Sequence, residues 1–335
     1  MTTAGIVGIT GYTGLELFRL LDRHPAVTVS RLFGRQHIGE PISRVFPHIS
    51  SNLTVESFSI EAIKDLDFVF LCLPHGEGQE MTRQIVDAGK RVIDLSADFR
   101  LKDLALFKEA YHADHREPGL LPKAVYGVPE LFASEIKTTN LLANPGCYAT
   151  SVILPLFPLN ALLPTDTMVV VDAKSGVSGA GRAASQSKLY SEVNEHFSAY
   201  NTFGHRHQVE IESVIGRSIS FSTHLLPMNR GILSSIYLLG SKLSAEPILS
   251  KLSETYATSP FVTVMSNWDT PGTREVTGSN RAMMTVKKDP KRDCIVIFSA
   301  IDNLIKGASG QAIQNLNLMA GFDQTLGLPV QGWFV

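Results

Sequence analysis

The sequence predicts an α/β protein with two domains, in which a doubly wound parallel sheet precedes an α+β domain with a largely antiparallel sheet. Over the first 145 residues, short apolar segments with little alternation, such as 4–9 and 65–74, recur between helical patterns, as buried parallel strands do. Later strand-like segments, such as 281–288 and 292–302, are separated by short turns, which suits antiparallel pairing. The length of 335 residues also favours two domains over one.

The elements of the first part alternate between strand and helix. The strand at 4–9 leads through "TGYTG" into a helix at 15–24 with apolar residues at helical spacing, which Pro25 ends. Its other predicted elements are strands at 26–34, 65–74 and 90–96 and a helix at 78–89. This order predicts a first domain over residues 1–145 and a second over 146–302. Periodicity leaves open which domain the last helical pattern, residues 303–321, joins.

Bulk composition excludes several classes of protein. The chain is 44% hydrophobic and 19% charged with a formal net charge of −2 and no basic run, so neither nucleic acid nor a membrane surface is the expected partner. Three scattered cysteines form no disulfide framework and favour a reducing compartment. The N-terminus lacks a signal-peptide pattern, and no apolar run approaches the roughly 20 residues of a membrane span. We therefore expect a cytoplasmic protein.

A glycine-rich turn between the first strand and the first helix predicts a dinucleotide site of the Rossmann type. Glycines there allow a tight turn and let backbone amides approach a pyrophosphate, although a purely structural turn is the alternative. The spacing is G-x-x-G-x-x-G, one residue longer at the first step than the usual fingerprint. The predicted contacts in this turn are Gly8, Thr10, Gly11, Tyr12, Thr13 and Gly14.

The residues after the second strand indicate which dinucleotide binds. NAD-binding domains place an acidic residue here on the ribose, whereas this chain has "SRLFGRQ" and no carboxylate before Glu40. Serine and arginine suit a 2′-phosphate, so we expect NADP(H), with Arg35 as first choice and Ser30 and Arg31 behind it. An ordinary solvated arginine is the alternative. Pro74, at the end of the strand at 65–74, is also assigned to the cofactor site.

Cys147 in "NPGCYATS" is the candidate nucleophile. The Pro-Gly turn stops the preceding element, and the apolar run that follows predicts a helix whose first turn contains Cys147. Free backbone N–H groups and the helix dipole favour a thiolate there. A small buried cysteine is the alternative. Cys72 and Cys294 lie in predicted strands and are expected to be inert core residues.

The segment "FGHRHQVEIESVIG" supplies the candidate acid/base group. If a helix begins near His207, then His207 and Glu210 share one face, so that the carboxylate can orient the imidazole. His205 and Arg206 then project from the preceding loop. Two alternatives are a surface or capping histidine, and a zinc site built from the His-x-His pair and Cys147.

Two further loops are candidate ligand contacts. The loop "SGVSGAGR", residues 175–182, follows a strand directly, and its small residues let backbone approach a ligand while Arg182 offers a charge. The loop "DLSADFR", residues 94–100, ends a first-domain strand and contains Arg100. A tight turn is the alternative for each loop, with a salt-bridged Asp98 or Arg100 in the second.

Taken together, these motifs resemble the N-acetyl-γ-glutamyl-phosphate reductase family. The resemblance rests on "GITGYTG", "DLSADFR", "YGVPEL", "NPGCYATS", "SGVSGAGR", "HRHQVEI", "LLPMNRGI" and "DNLIKGASGQA", which span residues 8 to about 317. It implies a Rossmann domain and a catalytic and oligomerisation domain like that of aspartate-semialdehyde dehydrogenase. It also implies that a C-terminal helix, about 303–335, completes the first domain. Val209, where proline is common, and Ser309, where alanine is common, depart from the family pattern.

The resemblance implies a role for each matching residue. Cys147 is the nucleophile, His207 the acid/base and Glu210 its support. The loop containing Ser175, Gly176 and Gly179 borders the nicotinamide, and Asn303 reaches the cofactor. The candidates for substrate binding, on sequence grounds only, are Arg100, Asn144, Arg182, His205, Arg206 and Arg230. No metal is expected.

The implied reaction is NADPH-dependent reductive dephosphorylation of N-acetyl-L-glutamyl 5-phosphate to the 5-semialdehyde through a cysteine thioester, a step of arginine biosynthesis. The nearest alternative is the aminoadipyl-phosphate reductase of lysine biosynthesis, and an aspartyl-phosphate enzyme fits the motifs less well. A non-catalytic NADP-binding sensor and a zinc hydrolase are alternatives of other classes. We expect a homodimer or homotetramer whose other partner is a small acyl phosphate.

Overall fold

The computed structural model describes residues 1–266 and 270–333. The chain divides into two compact units. Unit 1 contains Met1–Pro145 and Ala308–Leu328, and unit 2 contains Gly146–Gly307 and the chain from Pro329. The sequence predicts that a C-terminal helix at about 303–335 completes the first domain. Of that segment, unit 1 contains residues 308–328, whereas unit 2 contains residues 303–307 and the chain from Pro329. Residues 334 and 335 lie outside the described part.

Unit 1 is built on a seven-stranded parallel sheet with strand order β3-β2-β1-β4-β5-β7-β6. Strands β1 and β4 lie at its centre, and the residues of β4 are all buried because helices cover both faces of such a sheet. The strands are β1 (Thr2–Val7), β2 (Val27–Phe33), β3 (Val55–Glu56), β4 (Phe68–Leu71), β5 (Arg91–Asp94), β6 (Val125–Tyr126) and β7 (Leu141–Ala143). The helices are α1 (Tyr12–Leu21), α2 (Ile42–Val45), α3 (Gln79–Asp87), α4 (Leu104–Tyr111) and α5 (Pro129–Ile136).

Unit 2 is built on a seven-stranded mixed sheet with strand order β12-β13-β14-β11-β8-β10-β9. Its helix α6 is buried from Tyr148 to Leu156 and packs against α8 and β11. The strands are β8 (Met168–Gly176), β9 (Ser198–Tyr200), β10 (Ser220–Leu226), β11 (Ile232–Leu239), β12 (Val262–Met265), β13 (Ala282–Lys288) and β14 (Cys294–Ile301). The helices are α6 (Cys147–Leu156), α7 (Tyr190–Val193), α8 (Arg206–Ile215) and α9 (Ala245–Thr255).

The pairing within the two sheets confirms the predicted fold class. Every pairing in the first sheet is parallel. In the second sheet, β11 pairs antiparallel with both β8 and β14, and β14 pairs antiparallel with β13. Only the pairs β8–β10 and β12–β13 are parallel among its described strands.

The last helix, α10 (Gly310–Ala320), follows a π-helical turn at Ile305–Ser309. It ends well before residue 335 because Gly321 adopts a left-handed conformation, with φ of 76°, and its N–H caps the helix. The helix packs against α5 and α1 of unit 1. Two of its buried amide nitrogens have an acceptor there, since Nε2 of Gln311 and Nδ2 of Asn315 both donate to the carbonyl of Gly127. Among the described residues, no helix is both long and apolar enough to cross a bilayer.

Candidate active site

Cys147 is the first residue of α6, and Gly146 is the N-cap of that helix. The Pro-Gly turn positions it there, because the extended conformation of Gly146, with φ of −69° and ψ of 152°, precedes the first helical residue. The cysteine is half-buried, whereas the rest of the helix is buried. A thiol at this point lies beside backbone N–H groups that have no acceptor inside the helix, which favours negative charge on sulfur or on a bound oxygen.

Glu210 connects helix α8 to the start of the cysteine helix. Its carboxylate is fully buried, and Oε1 accepts a hydrogen bond of 2.8 Å from the backbone N–H of Gly146. Its other oxygen, Oε2, lies 4.0 Å from Nε2 of His207, three residues earlier on the same helix face. One carboxylate therefore holds the N-cap of α6 and lies next to the candidate acid/base.

Two glycines that the sequence did not single out make room for this arrangement. A Cβ on Gly146 would lie 2.3 Å from Nε2 of His207, so only glycine lets the imidazole approach the residue next to Cys147. A Cβ on Gly307 would lie 2.8 Å from Cβ of Cys147, so the backbone at Gly307 packs directly against the cysteine. The only signal in the sequence is that both glycines belong to motifs, "NPGC" and "KGASG".

His205 caps helix α8 rather than projecting freely from a loop. Its Nδ1 accepts a hydrogen bond of 3.1 Å from the backbone N–H of His207. Burial, reinforced by the neighbouring His207 and Arg206, lowers the pKa of His205 to about 3. His205 is therefore a neutral imidazole that fixes the first turn of α8, and its ring lies 4.7 Å from that of His207 in an edge-to-face contact.

Two tyrosines surround these histidines, and the sequence reasoning missed both. Tyr148 stacks edge-to-face against His205 and His207, and its hydroxyl donates to the carbonyl of His224 at 3.0 Å. The hydroxyl of Tyr200 donates to that of Tyr148 at 3.2 Å. Burial raises the pKa of Tyr200 to about 12 and also raises that of Tyr148, so both hydroxyls stay protonated while the rings pack against the histidines.

Asn303 holds the glycine-rich loop that follows β8. Its Oδ1 accepts from the backbone N–H of Gly231 at 2.7 Å, and its Nδ2 donates to Oγ of Ser178 at 2.9 Å. The same amide lies near Gly179, where a Cβ would be 3.7 Å from Nδ2 and 3.1 Å from Oγ of Ser175. The structure thus brings Ser175, Gly176 and Gly179 together with Asn303, which organises their loop.

In unit 1, the glycine turn connects β1 to α1 as the sequence predicts. Gly8 has a φ of 85°, and a Cβ on Gly14 would lie only 2.4 Å from the carbonyl oxygen of Gly8. Gly11 is the N-cap of α1, and a Cβ there would make only an ordinary van der Waals contact, 3.5 Å from the carbonyl oxygen of Gly8. Gly8 and Gly14 are required by the turn itself, whereas Gly11 leaves space for a ligand at the helix N-terminus. Thr10 lies within this turn, and Tyr12 and Thr13 are the first two residues of α1.

The residues predicted to contact a 2′-phosphate lie at different distances from the carboxyl end of β2. Arg35 follows the end of the strand and its side chain is 74% exposed. Ser30 and Arg31 lie mid-strand, and one guanidinium nitrogen of Arg31 lies 3.0 and 3.2 Å from the two carboxylate oxygens of Glu56. Arg35 therefore lies nearest to the carboxyl edge of the sheet, where ligands of such sheets bind. Pro74 lies in the loop after β4, at the same edge.

Arg100 and Asn144 form a buried pair in unit 1. Arg100 donates through Nε to the carbonyl of Asn144 at 2.8 Å and through a terminal nitrogen to that of Leu95 at 3.0 Å. The side chain of Asn144 donates to the carbonyl of Ala308 and accepts from Asn315, each at 3.1 Å. These bonds fix the end of β7 just before Pro145.

The other three candidate arginines differ in environment. Arg182 and Arg206 are exposed. Arg230 is largely buried, with its guanidinium 3.5 Å from Asp302 and over the ring of Trp333. No group of three or more His, Cys, Asp and Glu side chains is placed to hold a metal ion within the described ranges.

Comparison with known proteins agrees with both units. Residues 3–139 match the family model for the semialdehyde dehydrogenase NAD binding domain, and residues 147–303 match the model for its dimerisation domain. Over its whole length the chain is 44% identical to the whole N-acetyl-gamma-glutamyl-phosphate reductase of Desulforudis audaxviator. The chain belongs to the N-acetyl-gamma-glutamyl-phosphate reductase family. A second member, from Magnetococcus marinus, is 45% identical over 96% of both chains.

Solved structures of more distant proteins show the same fold. The aspartate semialdehyde dehydrogenase II of Vibrio cholerae, complexed with ASA, superposes with a TM-score of 0.72 at 15% identity, covering 96% of this chain and 98% of that one. The aspartate semialdehyde dehydrogenase of Candida albicans, solved with NADP, gives a TM-score of 0.71 at 15% identity over 96% and 98% of the two chains. The expected likeness between the reductase family and this fold is confirmed.

Proposed function

We propose that this protein reduces N-acetyl-L-glutamyl 5-phosphate to N-acetyl-L-glutamate 5-semialdehyde with NADPH, as a step of arginine biosynthesis. One observation carries the chemical part of this proposal. Cys147 begins α6 next to a glycine whose N–H is held by Glu210, and that carboxylate adjoins His207. A nucleophile, a base and a group that orients the base are the three parts that covalent catalysis by cysteine requires.

In the first half of the reaction, His207 takes the proton of the Cys147 thiol and the thiolate attacks the acyl-phosphate carbonyl. A C–S bond forms, and the C–O bond to phosphate breaks, which leaves a thioester on Cys147. The backbone N–H groups in the first turn of α6 stabilise the negative oxygen of the tetrahedral adduct. His205 caps the first turn of α8, which contains His207, and because it is neutral it adds no positive charge beside that residue.

In the second half, bound NADPH supplies the hydride that reduces the thioester to a thiohemiacetal. His207 gives its proton to the oxyanion and recovers it when the adduct collapses to aldehyde and thiolate. Glu210 stabilises the imidazolium form of His207 in both halves, because its buried carboxylate lies 4.0 Å from the ring.

The residues of unit 1 fit NADP(H). The N-terminus of α1 offers backbone N–H groups to the pyrophosphate, and Gly11 has no side chain that would hinder its approach. Exposed Arg35, just after the end of β2, offers a cation for the 2′-phosphate. The assigned contacts in the turn are Gly8, Thr10, Gly11, Tyr12, Thr13 and Gly14. Arg35 is preferred over Ser30 and Arg31, which lie within β2 and farther from its carboxyl end.

The substrate is a small anion, and we assign its charged groups to exposed Arg182 and Arg206 first. Arg100 and Asn144 are held by partners within unit 1, and Arg230 is held by Asp302 within unit 2, so these three come second. The family's dimerisation domain matches unit 2, which supports a homodimer or homotetramer formed through that unit. The proposed location is the cytoplasm.

The proposal is tested by running the reaction backwards, because the acyl phosphate is labile. Purified protein is given NADP and phosphate with either N-acetylglutamate 5-semialdehyde or the semialdehyde of N-acetylaminoadipate, one methylene longer, and NADPH formation is followed. We expect faster phosphate-dependent turnover of the shorter substrate. A clear preference for the longer one would keep the mechanism but move the protein to the aminoadipyl reaction. No turnover with either would refute the proposal.

A further inference from the structure

Arg35 and Glu77 form an ion pair across the carboxyl end of β1. The terminal nitrogen of Arg35 lies 2.8 Å from Oε2 of Glu77. Arg35 follows β2 and Glu77 lies in the loop between β4 and α3, and these two strands flank β1 in the sheet. Neighbouring strands are about 4.8 Å apart, so the pair joins loops that are two strand spacings apart. The turn from Gly8 to Gly14 begins between those loops.

The acidic partner is held more firmly than the basic one. The loop of Glu77 is anchored to the loop that follows β5, because the fully buried Asp98 in that second loop accepts a hydrogen bond of 2.6 Å from the backbone N–H of Gly76. The N–H of Glu77 also donates to the carbonyl of Pro74 at 3.3 Å. The guanidinium of Arg35 extends into solvent with 74% of its side chain exposed. When the pair opens, Arg35 therefore moves more easily than Glu77.

The other acid near Arg35 in the sequence has partners of its own. Glu40 lies 3.2 Å from Nδ1 of His37 and 4.0 Å from Nε of Arg44. Glu77 is thus the carboxylate that holds Arg35. Both a carboxylate and a phosphate are anions that a guanidinium binds, so Glu77 and a bound 2′-phosphate would compete for the same guanidinium.

We propose that Glu77 is a specificity-determining residue that holds Arg35 when no 2′-phosphate is bound and is displaced by that phosphate when NADPH binds. The inference rests on the proposed use of NADP(H). When NADPH binds, its 2′-phosphate must break the ion pair between Arg35 and Glu77, and it then forms a charge-assisted contact with Arg35. NADH has no 2′-phosphate and leaves the pair intact. Removing the Glu77 charge should therefore strengthen binding of NADPH alone.

The test compares the dissociation constants of NADPH and NADH, measured by fluorescence titration without substrate, for wild type and Glu77→Gln. Exposed ion pairs of this kind correspond to about a two- to fivefold change in affinity. We expect Glu77→Gln to tighten NADPH binding by that factor at low salt and to leave NADH binding unchanged. Thermal unfolding of each variant shows that the fold is retained.

Two further variants isolate the pair. Glu80→Gln, on α3, removes the same charge from a residue bonded to Gln84 and should change neither constant. In an Arg35→Gln background, Glu77→Gln should change NADPH affinity by less than about twofold, because the coupled partner is gone. Equal effects of Glu77→Gln and Glu80→Gln, or equal tightening of both nucleotides, would overturn the inference. The proposed preference for NADPH is tested separately, by the wild-type protein alone. It fails if wild type binds NADH as tightly as NADPH.

Discussion

Glu210 accepts a hydrogen bond of 2.8 Å from the backbone N–H of Gly146, and the two residues are 64 positions apart in the chain. The bond joins the N-cap of the cysteine helix to the helix that carries His207. A buried carboxylate needs partners to remain charged, and this one finds a backbone donor on one oxygen while the other lies near the imidazole. The nucleophile and the proposed acid/base are therefore positioned by one side chain.

Replacing Glu210 with glutamine should separate its charge from its hydrogen bond. The amide oxygen of Glu210→Gln can still accept from Gly146, but the negative charge beside His207 is lost. We expect kcat to fall about 10²-fold or more, within the range for acid/base catalysis, with little change in KM. The matched control is Glu212→Gln, because Glu212 also accepts a backbone N–H, that of Ile219 at 2.8 Å. An equal loss in both variants would show that Glu210 acts only on folding.

Gly146→Ala should displace His207 from its position. The added Cβ would lie 2.3 Å from Nε2 of His207, closer than real contacts allow, so the ring must move. We expect at least about a tenfold loss of kcat, because a displacement of about 1 Å is costly in catalysis, and we expect NADPH affinity to be retained, because neither Gly146 nor His207 is assigned to the cofactor. Steady-state kinetics with a separate NADPH titration measures this. A variant with wild-type kcat would show that the close approach of His207 is not needed.

His205 should make the protein sensitive to acid. Its pKa falls from 6.5 to about 3 on folding, so the unfolded chain takes up a proton first as pH drops. The stability contributed by neutral His205 is complete above pH 6.5 and is lost as pH falls toward 3. His205→Asn keeps a capping side chain but does not titrate in this pH range. Between pH 7.5 and 5, the decrease in its free energy of unfolding should therefore be smaller than that of wild type by about 1–2 kcal/mol.

Urea unfolding at the two pH values measures this difference. Exposed His196→Asn is the matched control and should follow wild type. His205→Ala should be about 1 kcal/mol less stable than His205→Asn at both pH values, because neither side chain titrates in this range and alanine provides no cap. If His205→Asn and wild type lose the same stability on acidification, the imidazole is not buried as a neutral group.

The glycines of the β1–α1 turn should respond differently to alanine. Gly14→Ala places a Cβ 2.4 Å from the carbonyl oxygen of Gly8, a backbone atom, so we expect a loss of about 1–3 kcal/mol in stability. Gly11→Ala meets nothing closer than 3.5 Å, so the fold should be kept with a loss below about 1 kcal/mol. NADPH binding should nevertheless weaken in Gly11→Ala, since its methyl group occupies space at the helix N-terminus. Chemical unfolding and a nucleotide titration test both parts.

Local sequence patterns predicted most of the fold and the identity of the chemical groups. The glycine turn, the buried strands and the spacing of His207 and Glu210 are local features, so periodicity and turn residues indicate them. The contacts formed through folding were not predictable. Nothing local shows that Gly146 faces His207, that Arg31 is paired with Glu56, or that Arg230 is paired with Asp302. His205 illustrates the limit, because the sequence leaves a capping role open as one alternative and only the folded chain shows that its Nδ1 caps helix α8.

The thioester on Cys147 is the central claim, and a reaction without phosphate tests it most directly. With N-acetylglutamate 5-semialdehyde and NADP but no phosphate, the enzyme can form the thioester and one NADPH per active site but cannot release the acyl group as acyl phosphate. We expect a stoichiometric burst of NADPH, then steady turnover once phosphate is added, and neither in Cys147→Ser. Phosphate-dependent turnover that survives in Cys147→Ser would contradict the account.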